Sequence, residues 1–429
     1  MPETDSNAPI KQDPYAALRY KDFRSYISMR FFFTFAYQMQ TIVLGAYIYD
    51  ITHDKIALAL IGLFEAIPAI GLALFGGYFS DKFEKRKLLL TVFAAVIFSS
   101  SVMLVVTYHG MAQHLHITHI VPVIYAMIFV NGAARAFYAP AAFTVMANSV
   151  PKEVYPNSST WNGSTWKIAS IVAPVVGGFV YGIYGITPVF IIILSFLLIT
   201  LFAVSMLKKI EPVFVPKEGV FKSLSEGIRF VFSNRMMLGA ISLDMFSVFF
   251  GGVVMLLPVF AKDILHVGPE GLGLMRGASS LGAVVTMLAM TRYSPMAKPW
   301  RNLLFVVTGF GLSIICFALS RNFYLSLFFL FAEGAFDSVS MTIRGTIMQL
   351  LTPDNMRGRV SSVNQMFISS SNEIGDFESG VAAHFLGTVP AAIFGGCMTL
   401  VVVTITFLKT KKLVPLSLHE INAEPEVAK

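Results

Sequence analysis

The sequence predicts an all-α membrane protein of twelve transmembrane helices in two pseudo-symmetric six-helix halves. Three observations predict it. Twelve long apolar runs, split by short polar loops, fill the chain from about Tyr26 to Phe407, and about 20 apolar helical residues are needed to cross the hydrocarbon core. Hydrophobic residues make up 55% of the chain and charged ones 13%, with a mean hydropathy of +0.69; an ordinary globular domain carries about 25% charged residues. Short matches also recur at fixed offsets between the first and second halves.

The elements follow in order. A polar segment, 1–25, has no apolar core before a small-residue cleavage site, so no signal peptide is expected and the first span must direct insertion. The N-terminal half, 26–207, holds spans at roughly 26–49, 56–79, 88–108, 120–147, 163–185 and 187–207. A linker, 208–236, places apolar residues at 220, 221, 224, 228 and 231, which reads as an amphipathic helix on the membrane interface. The C-terminal half, 237–408, holds spans at roughly 237–261, 270–291, 302–319, 323–349, 361–386 and 389–408, and a tail, 409–429, follows.

Charge sets the orientation. Of the 32 Lys and Arg, 25 fall on one side with both termini, and three (Lys55, Lys262, Arg321) fall on the other. Four (Arg135, Lys167, Arg276, Arg344) lie within or at the edge of spans. The positive-inside rule then puts both termini in the cytoplasm of a bacterial inner membrane, in a multi-pass arrangement. It also accounts for the +7 net charge without a nucleic-acid partner. Cys316 and Cys397 fall inside predicted spans, so neither a disulfide framework nor a metal site is expected. His109, His114, His116 and His119 crowd one external loop; a solvated loop is the plainer reading, a metal site or pH sensor the sharper one.

The repeat has two registers. Gly62, Glu65 and Gly71 match Gly273, Arg276 and Gly282 at an offset of 211. Thr144, Ser159, Asn162 and Gly178 match Thr346, Ser361, Asn364 and Gly380 at 202. Parallel six-helix halves related by an axis along the membrane normal suit alternating access around a midplane site.

Ionisable residues inside spans are costly and therefore functional candidates. The 202 offset carries Arg135 onto Asp337, which predicts an opposite-charge pair across the centre: a permanent lock, or a pair that breaks on protonation or substrate binding. Glu333 and Asp337 share a helix face at i, i+4, with Arg344 returning to it. Arg344, near the cytoplasmic end, is expected to sit in headgroup space. Glu373, Asp376 and Glu378 make the eleventh span the most acidic; the first two share a face and are assigned to proton coupling, while Glu378 points elsewhere. Glu65 and Arg276, near an external gate, and Asp244, the remaining buried carboxylate, are expected to line the cavity. Tyr37, Gln38 and Asn131 are cavity candidates.

Between spans two and three stands Gly77-Tyr-Phe-Ser-Asp81-Lys82-Phe-Glu-Lys85-Arg86-Lys87. Four cations there would satisfy the positive-inside rule by themselves, but a glycine, an aspartate four residues on and then a basic cluster resemble the signature loop of the major facilitator superfamily. Arg135-Ala-Phe-Tyr-Ala-Pro-Ala, Asn162-Gly-Ser-Thr-Trp166, and the run from Arg344 through Arg357-Gly-Arg to Asn364 resemble its enterobactin-exporter and macrolide–proton antiporter branch. The resemblance implies the major facilitator fold, with gating roles for Gly77, Asp81, Lys82 and Arg86 in a latch between the halves. Glu84 stands where the superfamily has glycine. Pro174, Gly177 and Gly178 resemble an antiporter helix motif that marks export; ordinary small-residue packing would use the same residues.

These readings converge on a proton-coupled exporter of a hydrophobic or amphipathic small molecule, a siderophore or a drug-like compound. It is expected to be monomeric in the lipid bilayer, with no enzymatic activity and no cofactor beyond the proton gradient. No G-x-x-x-x-G-K-S/T loop is present to bind a nucleotide. The rival readings are a carrier of a divalent metal or lysophospholipid on the same fold, and a membrane sensor or scaffold that transports nothing.

Overall fold

The computed structural model describes residues 13–108, 117–210, 220–290, 292–353, 356–417 and 420. Among these, the long helices are α1 (Lys21–Thr52), α2 (Lys55–Lys82), α3 (Lys85–Thr107), α4 (Ile117–Asn148), α5 (Tyr155–Tyr184) and α6 (Ile186–Ser205) in the N-terminal half. A shorter helix, α7 (Val220–Ser233), leads to α8 (Arg235–Gly251), α9 (Pro269–Met290), α10 (Pro299–Leu319), α11 (Phe323–Leu351), α12 (Arg357–Leu386) and α13 (Thr388–Lys409). Eleven helical spans among the described residues are long and apolar enough to cross a membrane. The twelfth, α12, has 30 residues but carries Glu373, Asp376, Glu378 and a Ser/Asn run. It reaches across the bundle because α2 and α8 pack along it and bury Glu373.

Helix starts differ from the sequence expectation where polar residues prolong the helices beyond the lipid. The first span begins at Lys21, the fifth at Tyr155 and the eleventh at Arg357. The seventh breaks at Gly252 and resumes through a short 3-10 turn and a π-helical turn to Ile264. The amphipathic linker helix does more than float on lipid: Val231 is fully buried, and Ile228 and Phe230 pack with it against a core built around Trp300, Met236 and Ile343. Of the external histidines, His109, His114 and His116 lie outside the described residues, and His119 sits exposed on the first turn of α4.

The internal repeat is visible in the backbone. Gly185 (φ +79) and Gly387 (φ +92) make the α5–α6 and α12–α13 turns, 202 residues apart, in a region where an L side chain would clash. Gly178 abuts Pro269 and Gly273 of the other half, and its counterpart Gly380 abuts Ala59. Likewise Gly62 meets Glu373 and Asp376, and Gly273 meets Pro174 and Val175. The α2–α12 and α5–α9 seams are thus two copies of one contact.

Those seams lie towards the end of the bundle opposite the termini. There one hydrophobic cluster runs through both halves, joining Tyr49 and Ile61 to Phe260, Leu272 and Ala383. Towards the terminal end a second cluster is built of residues from α7 onward alone. Polar contacts follow the same division. Lys262 pairs with Asp50 at 2.5 Å, Tyr181 donates to Asp50 at 2.6 Å, and Tyr49 donates to Asp263. Lys55 donates to the Ala383 carbonyl at 3.3 Å, and His384 lies 3.8 Å from Asp54.

Candidate functional site: a charged cavity between the halves

At mid-depth the two halves enclose a cavity of about 360 Å³, within the usual range for small-molecule sites. Gln38 of α1 and Trp166, Lys167 and Ser170 of α5 form the wall from the first half. The opposite wall carries Arg276, Glu333, Asp337, Asn372 and Asp376, with apolar surface from Leu257, Phe310 and Leu330. Helical periodicity explains the alignment: Glu333 and Asp337 are one turn apart on α11, and Trp166 and Ser170 one turn apart on α5. Ser279 donates to Glu333 at 2.7 Å, and Gln38 donates to Ser170 at 3.3 Å.

A second charged group sits beside the cavity and ties the halves together. Arg135 of α4 holds Glu65 of α2 through Nη1 and reaches Glu373 of α12 through Nη2 at 3.1 Å. It also donates to the Tyr37 hydroxyl at 2.8 Å, and Tyr37 in turn donates to Glu65. The Arg135–Asp337 pair expected from the repeat is therefore corrected: Arg135 takes Glu65 and Glu373 instead. The reason is local packing. Gly132, one turn before Arg135, lets the Glu65 carbonyl of α2 come so close to α4 that a Cβ would collide with it. That contact brings the Glu65 carboxylate within reach of the guanidinium. Glu65, a cavity candidate, thus serves the interhalf cluster instead, while its repeat partner Arg276 lines the cavity as expected.

The remaining candidates divide. Asp376 lines the cavity while Glu373, one turn earlier, turns to Arg135; Glu378 borders neither. Arg344 is buried against Asp244 and donates to Ser340 at 3.2 Å. Headgroup space is therefore the wrong place for it, since α8 supplies an internal carboxylate. Asp244, a cavity candidate, does not line the central cavity because it turns to Arg344; with Ser247, Asp337 and Ser340 it borders a space of about 10 Å³, room for one water. Tyr37 and Asn131 do not face the central cavity; they border a similar space inside the first half with Arg135 and Gln40.

Residues 77–82 are the last turns of α2, and only Phe83 and Glu84 separate it from α3. The side chain of Asp81 lies outside the described residues; Lys82 is exposed. Arg86 donates to the Leu207 carbonyl at 3.1 Å, which ties α3 to the end of α6. That bond lies within one half, so in this conformation Arg86 does not form the latch between halves.

Trp166 and Lys167 are the large polar or charged cavity residues that the sequence does not single out, along with smaller ones such as Ser170, Ser279 and Asn372. With the fifth span placed from 163, Lys167 looked like an edge residue. The helix begins at Tyr155, which puts Lys167 on its fourth turn.

Gly177 and Gly178 make different contacts. A Cβ on Gly177 would meet the flexible Met39 side chain at 2.9 Å, whereas one on Gly178 would strike the Pro269 carbonyl across the seam. Gly178→Ala is therefore expected to wedge the α5–α9 seam open at the end away from the termini, while Gly177→Ala is absorbed. Cysteines replacing Asp50 and Lys262 report this: disulfide yield should fall severalfold in Gly178→Ala only. Equal yields would remove Gly178 from the seam.

Comparison with known proteins agrees with this architecture. The profile of the family described as transmembrane secretion effector (MFS_3) matches residues 12–426. Enterobactin exporter EntS from two Escherichia coli strains, O81 (ED1a) and O139:H28 (E24377A), is 25% identical over 268 residues. Each alignment spans 62% of this chain and 62% of the relative's length. In fold, a POT family transporter crystallised with 5-aminolevulinic acid superposes with a TM-score of 0.72 at 11% identity, covering 92% of this chain and 97% of that one. The nucleoside transporter NupG gives 0.70 at 12% identity, over 91% and 100%. A mid-depth cavity between two repeated six-helix halves, and a profile match over nearly the whole length, give one conclusion: the chain belongs to the transmembrane secretion effector family of the major facilitator superfamily.

Proposed function

We propose that this protein is a proton-coupled secondary exporter that moves a hydrophobic or amphipathic small molecule by alternating access. The observation that carries the reading is the cavity itself. Both halves line it at mid-depth, three carboxylates face it, and the described contacts between halves gather from mid-depth to the end away from the termini. A carrier facing inward would take this form, and the basic-residue asymmetry supports termini in the cytoplasm. Opening the outer end must part Arg135 from Glu373 and Lys262 from Asp50, so those pairs separate the two access states. Carboxylates that lose and regain partners in a low-dielectric interior are suited to carry protons. Siderophores and drug-like compounds are the leading cargoes, and the exporter EntS makes enterobactin the first to test.

The test is transport by the purified full chain in proteoliposomes. An acid-interior gradient should drive uptake of enterobactin, or of members of an amphipathic drug panel, and dissipating the gradient should abolish it. Cargo flux indifferent to the gradient would remove proton coupling, and no flux of any cargo would remove the exporter reading.

A further inference from the structure

The cavity holds two cations that no acceptor meets at contact distance. Lys167 lies 4.9 Å from the centroid of the Trp166 ring. Among the described residues it has neither a hydrogen bond nor a carboxylate within 4.0 Å, and the same is true of Arg276. Glu333, Asp337 and Asp376 line the same space, but across a gap. The two kinds of charge are not equivalent. A carboxylate can take up a proton and become neutral, whereas a guanidinium keeps its charge and its five donors at any accessible pH. Holding such a group in a membrane interior without an acceptor is costly. A guest that supplies the acceptor recovers that cost.

Geometry sets the shape of the guest. Gly277 of α9 packs against Ile171 and Val175 of α5, and Gly273 against Pro174, so the helices run antiparallel with residues 171 and 277 level. Lys167 then lies one turn towards the terminal end and Arg276 one residue the other way, a separation of roughly 7 Å in depth. An acidic group of ordinary size can address both. Beside them Trp166 is 37% exposed, unusual for a residue that borders a site at mid-depth, and it offers a flat apolar face. At about 360 Å³ the space exceeds the needs of a small inorganic anion.

We propose that the cavity recognises an aromatic organic acid, with its anionic group between Lys167 and Arg276 and its ring against Trp166. This rests on the exporter reading for its physiological meaning but makes a separate claim, about what binds. It narrows the cargo from amphipathic molecules in general to those with an anionic end.

Isothermal titration calorimetry on the full chain in lipid nanodiscs tests it with three probes of one ring system: 1-naphthoate, its neutral methyl ester and 1-naphthylmethylammonium. The carboxylate should bind saturably and about tenfold or more tighter than either of the others, the usual worth of a hydrogen bond to a charged group. Lys167→Gln and Arg276→Gln should each weaken the carboxylate by about tenfold and leave the ester unchanged, while Lys167→Arg should restore it. Trp166→Leu should weaken all three. Should Arg276→Gln fail to fold, Lys167→Gln and Lys167→Arg decide the matter. No saturable binding of naphthoate, equal binding of the ammonium probe, or indifference to loss of the Lys167 charge would overturn the proposal. Because the measurement needs neither gradient nor flux, its failure leaves proton-driven export standing, and loss of export leaves the binding result intact.

Discussion

Arg135→Leu is expected to abolish transport and to destabilise the protein by about 1–3 kcal/mol, between the worth of an exposed and of a fully buried ion pair, because a third of the Arg135 side chain stays accessible. Arg135 is the shared cation of Glu65 and Glu373, so the substitution leaves two carboxylates facing one another with no counter-charge. Glu373 is buried, and its oxygens have no hydrogen bond to fall back on. The loss should appear as a lower melting temperature in detergent and as lost cross-linking between the outer ends of α2 and α12. Adding Glu373→Gln to Arg135→Leu should recover part of the stability by removing one orphaned charge, without restoring transport. Arg135→Lys should recover less of the function than its charge suggests, because a single ammonium cannot present the planar fork that spans two carboxylates. A stable, transporting Arg135→Leu protein would show that the halves do not depend on this cluster.

Asp337→Asn should behave differently: proton-driven export falls on the order of 10²-fold or more, while stability changes by less than about 1 kcal/mol. Asp337 lines both the central cavity and the one-water space that leads towards Asp244 and Arg344. Unlike Glu373 it has no ion pair among the described residues, so its neutralisation strands no partner. That position makes it the carboxylate best placed to pass a proton between the cavity and the terminal side. The measurement compares cargo flux with and without a pH gradient, and cargo exchange at equal pH. Exchange should survive the substitution. Full gradient-driven export by the mutant would remove Asp337 from the coupling role.

The contrast between these variants marks where sequence reasoning reached. Intramembrane charge alone singled out Arg135, Glu333, Asp337, Glu373 and Asp376, because the cost of ionisable groups in lipid leaves few reasons to keep them. It could not assign their partners. The repeat related Arg135 to Asp337, but symmetry-related residues occupy equivalent places in different halves and need not touch. Arg344 shows the same limit: its position along α11 suggested a headgroup contact, and only the packing of α8 against α11 supplied Asp244. Lys167 reads as an edge residue in the sequence because the polar residues that open α5 carry no membrane signal, although the helix begins about two turns before it would be placed by hydropathy.

What the sequence by itself determined is the number, order and expected orientation of the spans, the duplication, and the set of charges that lipid would not tolerate. These depend on local hydropathy, on loop charge and on repeated glycines such as Gly185 and Gly387, all of which are properties of short segments. Only the tertiary structure decided which charges meet, which face the cavity, and which end of the bundle is closed. Those outcomes depend on how closely helix backbones approach, as at Gly132 against α2 and Gly178 against α9. A shift of a single turn there exchanges one carboxylate for another as the partner of a given arginine.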